Sequence, residues 1–225
     1  LEKWLNIKPI KDNIKNIFYI LWDKKKPSYA IWSNTIPKNI NFSTKIKWKE
    51  LNKEIILCGY ISNLDEIYNI PIENTYKNVP IIKSHLQKSI RRQNDNLSIQ
   101  SAWIMIKMDI IAFIRRIIII MIEDVYLDET IIILQWLLCA VSTNLFSLKR
   151  NHIKWLLGVV HMLSIHPKKD NLDKDIDNFI IKDYLNSKIL NLKGKEISIL
   201  YCLAFRISYG GMISDKILFK NAFYL

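Results

Sequence analysis

The chain has 225 residues, half of them apolar, with only 5 Gly and 6 Pro. That composition excludes global disorder and argues against a turn-rich sandwich or barrel, and it leaves little glycine for phosphate-cradling loops. A formal charge of +12 fits either a solvated lysine-rich surface or a polyanion partner, nucleic acid or an anionic membrane.

The three cysteines, Cys58, Cys139 and Cys202, are odd in number, far apart and without CxxC spacing. A disulfide framework or zinc site is not expected, and a reducing intracellular compartment (cytoplasm, nucleus or viral factory) fits best. The first residue is Leu1 rather than Met, which suggests a fragment or an incomplete gene model.

Residues 1–80 read as an irregular basic extension. Ile14, Ile17, Phe18 and Leu21 lie at helical spacing, yet NIFYILW is aromatic and β-branched enough for a strand, and both readings stay open. Lys24-Lys25-Lys26-Pro27 ends that element. Tyr29 to Trp32 fits a short strand or an extended segment. Ser43 or Thr44 can cap a helix through Ile46, Trp48 and Leu51. Glu54 to Tyr60 fits a short strand or a helix end stopped by Gly59, and Pro71 and Pro80 bracket a loop. Lysines interleave with aromatics around Trp22, Tyr29 and Trp48, a pattern that serves single-strand binding or, more often, core anchoring.

From Lys83 the pattern turns helical. Ser84 can cap a first helix through Leu86 and Ile90. Asp95 or Asn96 can cap a second, Leu97 to Lys107. Asp109 can cap a third, Ile110 to Glu123, and Asp128 a fourth, Thr130 to Ser142. Further helices are expected over His152 to Ile165, Ile176 to Leu185, Ile197 to Ser208 and Ile213 to Leu225, with an acidic stretch over Asp170 to Asp177 and a break at Gly210-Gly211. The fold expected is mainly α. It is a multi-helix bundle of about seven helices over residues 83–225, with a mixed, less regular N-terminal lead-in over 1–80.

The most apolar run, Ile110 to Ser142, is cut by Arg115-Arg116 and Glu123-Asp124. A charge near a bilayer centre costs roughly 2.5–3.5 kcal/mol, so a buried helix is expected there and no integral membrane span. Arg116 and Glu123 are seven positions apart and share a helix side, but about 10 Å of helix axis separates them. Each is therefore expected to pair with another helix, such as the QKSIRR segment, and the four charges read as a structural motif rather than a carboxylate active site. His85, His152, His161 and His166 have no metal spacing, and Walker A, GxGxxG and HExxH are absent. No catalytic residue, metal or cofactor is assigned.

Gln87-Lys88-Ser89-Ile90-Arg91 and, further on, Arg115-Arg116, six residues, Glu123-Asp124 form a pair of motifs in fixed order. In both, the chain resembles the C-terminal helical domain of the replication-associated recombination protein A (MgsA/RarA) clamp-loader-like ATPases. Similar stand-alone domains are familiar from proteins of large DNA viruses. The resemblance covers about a fifth of the chain and none of the ATPase domain. Arg92 stands where that family has Gly, and Asn94-Asp95-Asn96 replaces its Asp-Pro-Asp turn. It implies an oligomerising, DNA-associated module of replication or recombination, without ATP turnover. The basic residues expected on a nucleic-acid surface are Lys24, Lys25, Lys26, Lys83, Lys88, Arg91 and Arg92. DNA and a second copy of the chain are the partners in view; a viral scaffold without nucleic-acid affinity, a carboxylate enzyme and a peripheral membrane protein are the alternatives.

Overall fold

The computed structural model describes residues 15–62, 78–167, 185, 192, 194–208 and 213–223. Among the described residues four strands, β1 (Ile17–Trp22), β2 (Tyr29–Ser33), β3 (Phe42–Trp48) and β4 (Lys53–Ile61), precede the helices. Among the described residues these are α1 (Val79–Arg91), α2 (Asp95–Met108), α3 (Ile110–Asp124), α4 (Thr130–Ser142), α5 (Arg150–Ile165), α6 (Lys195–Ser208) and α7 (Ile213–Ala222). The acidic stretch 170–177, the Gly210-Gly211 break and residues 1–14 lie outside the described residues. So does the helix expected over 176–185, apart from Leu185.

The strands correct the expectation of a helical bundle with an irregular lead-in. They form one mixed sheet of order β2-β1-β4-β3, two antiparallel hairpins joined side by side through a parallel β1–β4 pair. The reason is a period of two. Phe18, Ile20 and Trp22 of β1, Ala30 and Trp32 of β2, and Ile55, Leu57 and Ile61 of β4 enter the main core. Phe42, Ile46 and Trp48 of β3 pack on the same side, while Ser43, Lys45 and Lys47 stay exposed. The segment FSTKIKW thus alternates as a strand with one covered face, and neither Ser43 nor Thr44 starts a helix.

The helices follow local capping chemistry. Asp109 Oδ1 accepts from Ala112 N at 2.8 Å at the start of α3, and Asp128 Oδ1 accepts from Thr130 N at 2.9 Å before α4. α2 is capped by Asn94 rather than by Asp95 or Asn96; its Oδ1 accepts from Leu97 N at 3.1 Å. α1 begins at Val79, ahead of Ser84, and Pro80 sits in its first turn instead of a loop. At α5, His152 Nδ1 accepts from Lys149 N at 2.8 Å.

α4 is the hub. Every residue from Ile131 to Ala140 is buried, because the helix has the sheet on one side, α3 on another and α6 on a third. α1, α2 and α5 pack on one another, with α1 and α2 also against α3, and α7 lies on α3 and α6. One apolar cluster runs from the sheet through α4 to α3 and α1. Trp32 anchors the sheet to α6: its ring stacks on Phe18 at 4.5 Å and on Tyr201 at 5.3 Å, and Nε1 donates to Cys202 Sγ at 3.4 Å. Among the described residues no helix is long and apolar enough to cross a membrane.

Candidate functional site: a charged helix seam and a basic sheet groove

The two charged motifs meet between α1 and α3. The helical period carries Gln87 and Arg91 to the α1 side that faces α3, one turn apart. Arg91 Nε donates to Asp124 Oδ1 at 2.7 Å. Gln87 Nε2 reaches both carboxylates, Asp124 Oδ2 at 2.7 Å and Glu123 Oε2 at 3.0 Å. Its other end, Oε1, accepts from Arg116 Nη1 at 3.2 Å. Gln87 therefore links the cation and the anions of α3 that the helix itself holds two turns apart. The Asp124 side chain is 1% exposed, whereas Arg91 and Glu123 are about half exposed, at 52% and 44%. The hydrogen bond to Asp124 raises the Arg91 guanidinium above its ordinary value, ahead of the opposing effect of burial. Arg116 Nε is buried with no hydrogen-bond partner. Arg115, one position away, is exposed.

A cleft of about 660 Å³ opens over this seam, lined by Gln87, Arg91, Arg116 and Glu123 and closed on its far side by Asp215, Leu218 and Asn221 of α7. Of the seam's carboxylates, Glu123 is bonded to Gln87, and Asp124 to Gln87 and Arg91, rather than to a histidine, serine or cysteine. Among the described residues no group of three or more His, Cys, Asp or Glu side chains is placed to hold a metal ion.

The basic residues fall into two groups on different layers. Lys24, Lys25 and Lys26 are exposed in the β1–β2 turn. Lys83, Lys88 and Arg91 lie on α1 and Arg92 caps its end; Lys83 is half-buried and the other three are exposed. The sheet packs on α4 and α6, while α1 packs on α2, α3 and α5, so the structure does not gather the two groups on one element pair. Arg91 also serves the seam. Of the aromatics interleaved with lysines, Trp22 is 6% exposed and Trp48 is fully buried, with Nε1 donating to Ser208 Oγ at 2.9 Å. Both are core anchors, and neither ring is open to a base.

The tyrosines on the other side of the sheet are different. Leu21 pairs with Tyr29 on one side and Tyr60 on the other, and Tyr19 lies in the next row between Ile31 and Cys58. These residues share the face opposite the core. The link from β2 to β3, residues 34–41, joins the two edge strands and so passes the central strands. Pro37, Lys38 and Asn39 of that link face Tyr19, Leu21 and Tyr60 across a groove of about 400 Å³, which Asp23 and Lys26 of the β1–β2 turn complete. Asn41 fixes the link, donating through Nδ2 to Ile61 O at 2.7 Å and accepting from Ile61 N at 2.8 Å. Lys38, Tyr19 and Tyr60 escape sequence reasoning because only strand register brings them together. Tyr19 and Leu21 alternate with core residues, but every position of β1 is apolar or aromatic, so the alternation leaves no local signal.

No family model matches this sequence, and no curated protein or solved structure is significantly similar to it.

Proposed function

We propose that this chain is a non-enzymatic module that associates with DNA in replication or recombination. The observation that carries the reading is the seam: Gln87 and Arg91 of one motif are bonded to Arg116, Glu123 and Asp124 of the other. These charged and amide side chains are engaged in joining α1 to α3. The charge of +12 adds support, since a polyanion is attracted by distributed cations such as Lys24 to Lys26, Lys88 and Arg92 without any catalytic group. Fluorescence anisotropy with labelled duplex and single-stranded DNA tests it. Binding is expected to weaken steeply from about 50 to 200 mM salt, as phosphate contacts release counterions. No binding to either probe at about 50 mM salt overturns the reading.

A scaffold or self-assembling protein is the second reading, favoured by Ile213 and Ile217 of α7, which are 79% and 49% exposed. It expects a stable oligomer by light scattering, unchanged by DNA.

A further inference from the structure

We propose that the outer face of the sheet takes single-stranded nucleic acid, with one base stacked on Tyr60 in the groove, the next on Tyr29 beside it, and phosphates held by Lys26 and Lys38. The inference rests on the nucleic-acid reading above and gives it a place on the molecule.

Four features of the groove match such a strand. Its floor is aromatic: Tyr19, Leu21 and Tyr60 line it, and Tyr29 lies just beyond the lining, in the cross-strand row Tyr60, Leu21, Tyr29. Tyr29 is 45% exposed, Tyr60 is half-buried, and the Tyr19 and Tyr29 rings are 6.3 Å apart and tilted. Tyr29 and Tyr60 are therefore within reach of a base, while Tyr19, at 5% exposure, supports them from below. Second, the walls are basic. Lys26 from the β1–β2 turn and Lys38 from the crossing link stand on either side, with Lys24 and Lys25 beside the first and Asp23 the one acid among the lining residues. Third, the volume of about 400 Å³ lies in the roughly 300–1,000 Å³ range of small-ligand clefts, which suits individual bases and not a duplex. Fourth, the helices that pack on the sheet are on its other face, where Trp136 of α4 and Tyr201 of α6 meet Phe18 and Trp32. Stacking on aromatic rings combined with a cationic path for the backbone is how strands are held without sequence preference. A duplex hides its base faces, so it gains nothing from this floor.

The test uses labelled oligothymidylate, oligouridylate and a DNA duplex with the whole chain and three double variants. Y29L/Y60L removes the π faces and keeps apolar bulk; it is expected to weaken single-strand binding roughly tenfold or more and leave the duplex unaffected. Y29F/Y60F keeps the π faces and is expected to bind as the parent does. K26A/K38A is expected to lower the slope of log affinity against log salt by about 1.4, at about 0.7 per phosphate contact. Circular dichroism confirms that each variant is folded. Unchanged single-strand binding by Y29L/Y60L overturns the inference and leaves the DNA reading standing. Equal losses in the Leu and Phe variants also overturn it, because they assign the effect to the hydroxyls. So does a dimer that Y29L/Y60L abolishes while nucleic-acid binding persists, which gives the face to a second copy. No binding of any probe by the parent overturns both readings.

Discussion

At Asp124 a single carboxylate decides how two helices meet. It is buried, and it holds one hydrogen bond from Arg91 and one from Gln87. Its partner Arg91 is half exposed, so the two ends of the pair are not equivalent. Removing Arg91 leaves a buried anion with Gln87 alone, and losing one partner of a buried pair costs roughly 3–5 kcal/mol in full burial. Partial exposure of the pair reduces that to about 2 kcal/mol for R91A. Removing Asp124 instead leaves a guanidinium that water can reach, and the loss for D124A is expected to be about 1 kcal/mol. Urea denaturation of the two variants checks the order. If D124A proves the more damaging, the carboxylate is not the member of the pair that needs its partner.

Elements divide by how much of their cause is local. The α3 and α4 boundaries were legible because Asp109 and Asp128 announce them within four residues, and the start of α5 was legible to within two. The α1–α3 seam was half legible: the spacing of Arg116 and Glu123 required partners on another helix, and Gln87 and Arg91 of QKSIRR supply them. The sheet was not legible as a sheet. FSTKIKW carries a clear alternation of period two, but Ser43 also has the chemistry of a helix cap, and only pairing with β4 chooses between them. NIFYILW is apolar at nearly every position because β1 is central and covered on both faces, with Phe18 in one cluster and Tyr19 in another. That pattern carries no period to read. The groove depends on register across three strands and was invisible for the same reason. Gly59 shows how closely the sheet and α4 are fitted. A Cβ there would lie 2.8 Å from Ile20 O, would overlap Ile20 Cγ2 and would touch the Trp136 ring at 3.4 Å. The close contact is with backbone, which cannot rotate away. G59A is expected to destabilise the protein by about 1–3 kcal/mol, seen as a lower urea midpoint.

For the whole molecule, the three buried thiols set a limit at high pH. Burial pushes Cys58 up to about 11 and Cys139 up to about 12 from an ordinary 9.0, and it raises Cys202 as well. The unfolded chain loses these protons first. Between pH 9 and the folded values the unfolded state therefore binds fewer protons, and stability falls as pH rises. The contribution is intact below pH 9 and is lost through pH 11 for Cys58 and pH 12 for Cys139, with a slope of up to about 1.4 kcal/mol per pH unit for each thiol. Urea midpoints measured from pH 8 to pH 11 are expected to drop beyond pH 9, and less steeply in C139A. A flat profile would show that the thiols ionise alike in both states.

Trp136 donates through one indole N–H to two carbonyls, Phe18 O and Cys58 O, both at 3.1 Å. The first belongs to the β1–β2 hairpin and the second to the β3–β4 hairpin, so this ring spans the parallel seam between them. A growing chain delivers both hairpins from the ribosome before the helix that joins them. Until α4 emerges, the inner faces carrying Phe18, Trp32 and Leu57 have no lid. Between strand and helix synthesis this apolar surface stays uncovered, the condition under which incomplete chains aggregate.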